Sequence, residues 1–354
     1  MFRSVAFALV VACPFLPSAA NPRAAILDAQ VPLGTNRWGC ASDPAVFEEA
    51  LRDGWNVRRL SAEELADASV LSRAHFDLLI LPCGSYFPPA ATNSLVAFLK
   101  AGGNLFTTGG YAFDSCDLVN TRSAPKIWDC LRVRDDQIGV FDPSHTLERV
   151  SVTTLDAACE GVLPPVRREG SLAGFSAVAM LGTQGHGCGP NRVAWQPVLC
   201  CRDGRGRLRG YAGAVAHHVS GTFAGSSWAF FGVTDDDLFA AGSEGAKLIR
   251  PLTDLLARGL KISRTTTRWP CYRRGEAADF YAVVRNDAKV PKRGSVRFHA
   301  KDEDGREAFA ERIEFMLAHG VLGRQRREAR TPRVRCGRFR ALTDCLVRSD
   351  AVAI

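Results

Sequence analysis

The sequence predicts an α/β domain built on a doubly wound parallel sheet, followed by an all-β segment. Three observations carry that reading. Between residues 23 and 110, short apolar runs alternate with capped, amphipathic segments. One run, Phe76 to Leu81 (FDLLIL), is apolar at nearly every position, as a strand covered on both faces of a parallel sheet requires. Beyond residue 260, short strands separated by turn residues replace the helical segments.

Arg23 to Asp28 (RAAILD) reads as the first strand. Asp43-Pro44 opens a helix, the aspartate capping the first turn and the proline pre-setting its backbone, with Val46 and Leu51 on the buried face. Asn56 to Leu60 is the second strand. Ser61-Ala62-Glu63-Glu64 starts the next helix, with Glu64 spaced to complete a capping box. After the Phe76 to Leu81 strand comes a helix over Thr92 to Ala101, stopped by Gly102-Gly103, and then the strand Asn104 to Thr108. Further on, Val215 to Val219 reads as a strand and Ala246 to Leu260 as the closing helix. Asp235-Asp236-Asp237 reads as a turn capping a helix near Leu238, because consecutive carboxylates diverge and make a poor calcium site. Strands and helices alternating through short links build a doubly wound sheet.

Such sheets carry their functional loops at the carboxyl ends of the strands. Two loops fall there, Leu81 to Pro88 and Thr107 to Phe113, and they supply the cleft candidates Gly84, Ser85, Tyr86, Gly109, Gly110 and Tyr111. A strand ending in Leu-Pro-x-Gly, a helix closing on Ala-Gly-Gly-Asn and a strand running into Thr-Gly-Gly resemble the class I glutamine amidotransferase-like superfamily. The resemblance is to the versions attached to secreted bacterial glycoside hydrolases, similar to the trimerisation domain of family 42 β-galactosidases. Arg192 to Phe239 extends it through Trp195-Gln196-Pro197, Asp203 to Arg207 and Gly221 to Gly232. It spans residues 23 to 260 and implies a flavodoxin-like fold.

Active members of that superfamily place a nucleophilic cysteine on a sharp elbow, activated by a later histidine. Here the elbow reads Gly109-Gly110-Tyr111-Ala112, and His217-His218 is followed by Val219-Ser220 rather than by His-x-Glu. The resemblance therefore implies the fold without the nucleophile. Cys83, at a strand end beside Gly84, is a weak catalytic candidate whose competing reading is a small buried side chain. His217 and His218 are the other weak candidates, and the two-residue period of a strand is expected to point one inward and one outward. No cysteine spacing is that of a zinc site, and Gly109-Gly110 lacks the remainder of a phosphate loop, so neither metal nor cofactor is expected. A sugar cleft lined by Tyr86, Tyr111 and Trp128 is a further reading.

Met1 to Ala20 has one charge at Arg3, an apolar stretch, and small residues before position 21, which reads as a signal peptide. The expected location is secreted or periplasmic, with no transmembrane segment in the mature chain; lipid anchoring at Cys13 is the alternative. Eleven cysteines remain after cleavage, and Cys116 with Cys130 is the disulfide to test. The net charge of +8 does not imply a nucleic-acid partner, since residues 313–354 hold nine arginines against four acidic residues and so five of the excess charges.

The expected division is a signal peptide at 1–20, the α/β domain at 21–260, a segment at 261–312, and an arginine-rich tail at 313–354. The segment at 261–312 resembles a partial immunoglobulin-like sandwich. The tail is either a natural basic extension, disordered by composition, or a shifted reading frame. The expected role is a non-catalytic structural or interaction module of a truncated, exported, carbohydrate-active protein. Its expected partners are a carbohydrate, a glycosidase catalytic region or a second copy of the chain. The alternatives are a cysteine hydrolase or amidase acting through Cys83, and a sugar-binding module.

Overall fold

The computed structural model describes residues 21–28, 41–83, 86–109, 139–142, 149–154, 163–171, 177–179, 193–203, 205, 208–232, 236–267, 277–287, 291–301, 307–318, 322–330 and 347–348. The expected signal peptide, Cys13, the expected Cys116–Cys130 pair, Trp128 and Asp235 lie outside them, as do Gly84, Ser85, Gly110 and Tyr111.

Five strands form the parallel heart of the molecule: β1 (Arg23–Leu27), β2 (Asn56–Leu60), β3 (Leu78–Leu81), β4 (Asn104–Thr107) and β11 (Ser227–Phe231). They lie in the order β2-β1-β3-β4-β11, every neighbouring pair parallel. That is the flavodoxin-like order, with the reversal of winding between β1 and β3. The two-residue period divides their side chains between two cores. Ala24, Ile26, Leu78, Ile80, Phe106, Ala229 and Phe231 face one side. Ala25, Leu27, Leu79, Leu81, Leu105, Trp228 and Phe230 face the other. Helices α1 (Pro44–Leu51) and α4 (Ala246–Ala257) cover the first face with Phe47, Leu51, Leu248, Ile249 and Leu252. Helices α2 (Ala62–Ala66) and α3 (Thr92–Lys100) cover the second with Leu65, Leu95, Phe98 and Leu99. The sheet is thus doubly wound.

Local chemistry sets the helix starts. Asp43 accepts from the Ala45 amide at 2.8 Å ahead of Pro44. Ser61 and Glu64 close the capping box in both directions, at 3.2 and 3.0 Å. The α3 helix ends at Gly102, whose φ of 84° suits glycine. At the sheet's edge, Arg59 of β2 forms a bidentate pair with Glu48 of α1 at 2.8 Å, while its neighbour Arg58 pairs with Glu64 of α2. Successive residues of one edge strand therefore reach the helices on opposite faces.

Beyond β11 the sheet turns antiparallel, an extension that the sequence reading did not anticipate. Strand β10 (Leu208–His218) pairs antiparallel with β11 and with β9 (Val193–Asp203), and the order continues through β6 (Arg149–Thr154) to β7 (Arg167–Ser171). Two smaller strands, β5 (Gly139–Asp142) and β8 (Ala177–Ala179), join at β10. The direction is dictated by the connection: the four residues between β9 and β10 are too few for a parallel crossover, so the pair must be a hairpin.

Strand β12 (Leu260–Thr267) follows α4 after two residues, the last of them Gly259 at φ 70°. It starts a second β region of two three-stranded antiparallel sheets. One is β12-β13-β16 and the other β15-β14-β17, where β13 is Ala277–Asn286, β14 Lys292–Lys301, β15 Glu307–Leu317, β16 Leu322–Arg330 and β17 Val347–Arg348. Leu260, Ala282 and Val284 of the first sheet share a core with Val296, Phe315 and Leu317 of the second. The strand pattern therefore does not stop at residue 312. Strand β15 crosses that point, and β16 pairs with β13 over nine positions within what the sequence presents as a charged tail. Ladder hydrogen bonds are made by the backbone, so a strand poor in apolar residues is invisible to periodicity.

Gly213 of β10 lies opposite Phe231, and a Cβ there would meet the Phe231 ring at 2.5 Å. Phe231 cannot retreat, being fully buried and stacked on Phe106 at 5.3 Å. Gly213→Ala is expected to cost about 1–3 kcal/mol by overpacking, measured by urea unfolding. Ser61→Ala, which opens the capping box, is expected to cost about 1 kcal/mol in the same assay.

Candidate functional site

The cleft candidates lie at the carboxyl ends of β3 and β4. Leu81 of β3 pairs with Thr107 of β4, so the loops leaving the two strands start side by side. The Thr108 amide donates to Leu81 O at 3.2 Å, and the Ser42 amide, just before α1, donates to Pro82 O at 2.9 Å. The Tyr86 amide donates to Cys83 O at 2.7 Å. Gly109, with φ at 90°, occupies the left-handed region that a side-chain-bearing residue enters only under strain. The backbone therefore bends at Gly109, the first residue of the expected elbow.

Cys83 points into the sheet's second core, among Leu81, Phe87 and Leu95, and is 4% exposed. Burial pushes its thiol up to about 12, with only its own backbone opposing the shift. A thiol so placed is protonated at neutral pH and is packed as a small apolar side chain. Tyr86 is half-buried at the margin of the same core.

His217 and His218 lie elsewhere. His217 pairs with Ser227, the first residue of β11, whereas Leu81 is level with the far end of that strand, through Thr107 and Phe230. The histidines therefore mark the amino-terminal end of the parallel strands and Cys83 the carboxyl end. Three strand spacings across and five residues along place His217 and Cys83 on the order of 20 Å apart. No proton passes directly between groups so separated, and the structure does not bring Cys83 and the histidines into one site.

The expectation that one histidine points outward is not met: His217 is 7% exposed and His218 1%. The strand does alternate, but both faces of the sheet are covered at this end. His217 Nδ1 lies 2.9 Å from Ser227 Oγ. The ring of His218 packs 4.0 Å from that of Trp228 and 5.8 Å from that of Phe223, and its Nε2 has no hydrogen-bond partner. Burial first, and then the positive charge of Lys261, pull both imidazoles down to about 3. Both are neutral in the folded chain at neutral pH.

A signal that the sequence reading missed is the buried charge beside them. Lys261 of β12 is 3% exposed, donates to Gly225 O at 2.5 Å, and lies 3.3 Å from Asp287 Oδ2 just after β13. Desolvation pulls the ammonium down to about 8 while Asp287 opposes the shift. Arg285 pairs with the other Asp287 oxygen and donates to Val219 O at 2.5 Å. One carboxylate thus holds two cations of the β region, and each cation grips one end of the hairpin between β10 and β11. Nothing in residue spacing marks Lys261; only its position one residue after an apolar strand start would have suggested burial. Among the described residues, no three His, Cys, Asp or Glu side chains converge as metal ligands, and no helix is long and apolar enough to cross a membrane.

Neither a family model nor a curated protein matches this chain. Among solved structures, a ThuA-like protein from Bacteroides uniformis is similar over 70% of this chain and 96% of its own, at 12% identity and a TM-score of 0.39. A β-glucosidase from Listeria innocua is similar over 89% of this chain at 13% identity and a TM-score of 0.20. Its glucose complex gives 93%, 9% and 0.23. This chain spans less than half of the β-glucosidase, 42% and 46% in the two structures. Likeness this distant says nothing of activity.

Asp287→Ala would strand Lys261 and Arg285 without their carboxylate. A loss of about 3–5 kcal/mol in urea unfolding is expected, and the Lys261→Met/Asp287→Leu pair is expected to recover part of it.

Proposed function

We infer that the chain is a non-catalytic structural or interaction module: a class I amidotransferase-like domain followed by an immunoglobulin-like sandwich, serving an exported carbohydrate-active protein. One observation carries the non-catalytic reading, the placement of Cys83 in an apolar core at the opposite end of the sheet from His217 and His218. With its thiol at about 12, the thiolate fraction at pH 7 is on the order of one part in 10⁵. A nucleophile needs a base within hydrogen-bond reach, and neither His217 nor His218 is near enough to act as one. The reading of the second region as a sandwich rests on two antiparallel sheets that share one apolar core. The carbohydrate association and export rest on the sequence resemblance and on the first twenty residues. A glycosidase catalytic region or a glycan is the partner this reading favours, with self-association as a further consequence.

The test is alkylation of the native chain by iodoacetamide between pH 5 and 9, read by mass spectrometry. Cys83 is expected to stay unmodified until denaturant is added. Selective labelling of Cys83 in the native chain, with an apparent pKa below about 7.5, would instead establish the cysteine-hydrolase reading.

A further inference from the structure

Among the described residues, two buried side-chain polar atoms have no hydrogen-bond partner: His218 Nε2 and Asp287 Oδ2. Both belong to the junction between the α/β domain and the second β region, and Lys261 lies within electrostatic reach of both. The geometry there is that of a clasp. Hairpin residues 219–226 fold over His218, whose amide donates to Ser226 O and whose carbonyl accepts from the Gly225 amide, both at 3.0 Å. Phe223, at the hairpin's centre, lies against the His218 ring. From the other side, Lys261 and Arg285 hold Gly225 O and Val219 O, and Asp287 neutralises both cations.

We propose that this junction is an acid-sensitive latch: protonation of His217 and His218 releases hairpin 219–226 from β12 and β13 while the parallel sheet stays folded. The charged groups around the histidines and Lys261 make the case. Strand β12 presents Lys261, the cation that acts on both imidazoles, and acting in turn on Lys261 are Arg285 and Asp287 at the end of β13 and Arg73, paired with Asp77, before β3. Both carboxylates are committed, Asp287 to Lys261 and Arg285, Asp77 to Arg73 and Arg23. A new imidazolium finds a buried ammonium beside it and no uncommitted anion among these groups. The Ser227 hydroxyl on β11, 2.9 Å from His217 Nδ1, carries no charge to offset it. Opening the hairpin lets water solvate the imidazolium and relieves the repulsion.

The direction follows from linkage. The imidazoles sit at about 3 when buried, against 6.5 for a free imidazole. Between those values the open form binds more protons than the closed one. Above about pH 6.5 the histidines no longer favour opening, and below it each favours opening tenfold per unit. At pH 5 the opening constant is expected to rise on the order of a thousandfold.

Hydrogen exchange of the intact chain at pH 7 and pH 5, corrected for intrinsic rates and read by mass spectrometry, tests this. Residues 218–226, 259–261 and 285–287 are expected to lose protection at pH 5 while β1, β3 and β4 retain it. The His217→Asn/His218→Phe variant keeps a polar group for Ser227 and a ring for Trp228, and is expected to stay protected at both pH values. Three results overturn the proposal: unchanged protection of the hairpin in the natural chain at pH 5, simultaneous loss of protection in β1 and β3, or acid opening of the doubly substituted chain as in the natural one. The first two need only the natural chain, so they decide the matter even where the variant does not fold.

Discussion

Coverage of the central sheet on both faces is the constraint from which the rest follows. Each strand has an inward side twice over, so a residue in β1, β3, β4 or β11 is buried whichever way it points. Apolar side chains satisfy this directly. Groups that titrate do so by giving up their charge: the Cys83 thiol is driven up and the His217 and His218 imidazoles down, by the same loss of water acting on an acid and on bases. What looks in sequence like a set of reactive residues becomes, in this environment, a set of neutral packing elements.

The exception is the Lys261–Asp287–Arg285 group, in which one carboxylate faces two cations and backbone carbonyls of a neighbouring hairpin accept hydrogen bonds from both. Buried ion pairs seldom add net stability over apolar packing, but they are demanding about geometry. Here they join the second β region to the hairpin at the amino-terminal end of the sheet. The polar character of that end extends into β11 and β4. Asn104 accepts from the Ser227 amide, and Ser226 bonds Gly103 O and the Trp228 indole.

The parallel half of the molecule was legible because its strands and caps are local signals. Asp43-Pro44, Ser61 with Glu64, and Gly102 each act within one helical turn, and FDLLIL is buried on both faces in only one kind of sheet. The antiparallel half was not, since β9 and β10 look like generic strands until their pairing is known. Strand β16 was read as tail because arginine hides a strand whose hydrogen bonds belong to the backbone. At the candidate site, the sequence placed Cys83, Tyr86 and Gly109 beside the same strand ends. It misjudged the histidines, because the two-residue period says which face a residue occupies and not whether that face is covered. Lys261 and Asp287 are 26 residues apart in the chain, and no short-range pattern connects them.

The paired arginines of β2 bear on how copies of this chain can meet. An open strand border ordinarily invites another chain to dock and lengthen the sheet, the route by which soluble proteins polymerise. On this border Arg58 and Arg59 are each tied to a different flanking layer, so an incoming strand would have to approach past two ion pairs and the helices they tether. Charged side chains on a border strand are one of the means by which folded chains discourage such addition.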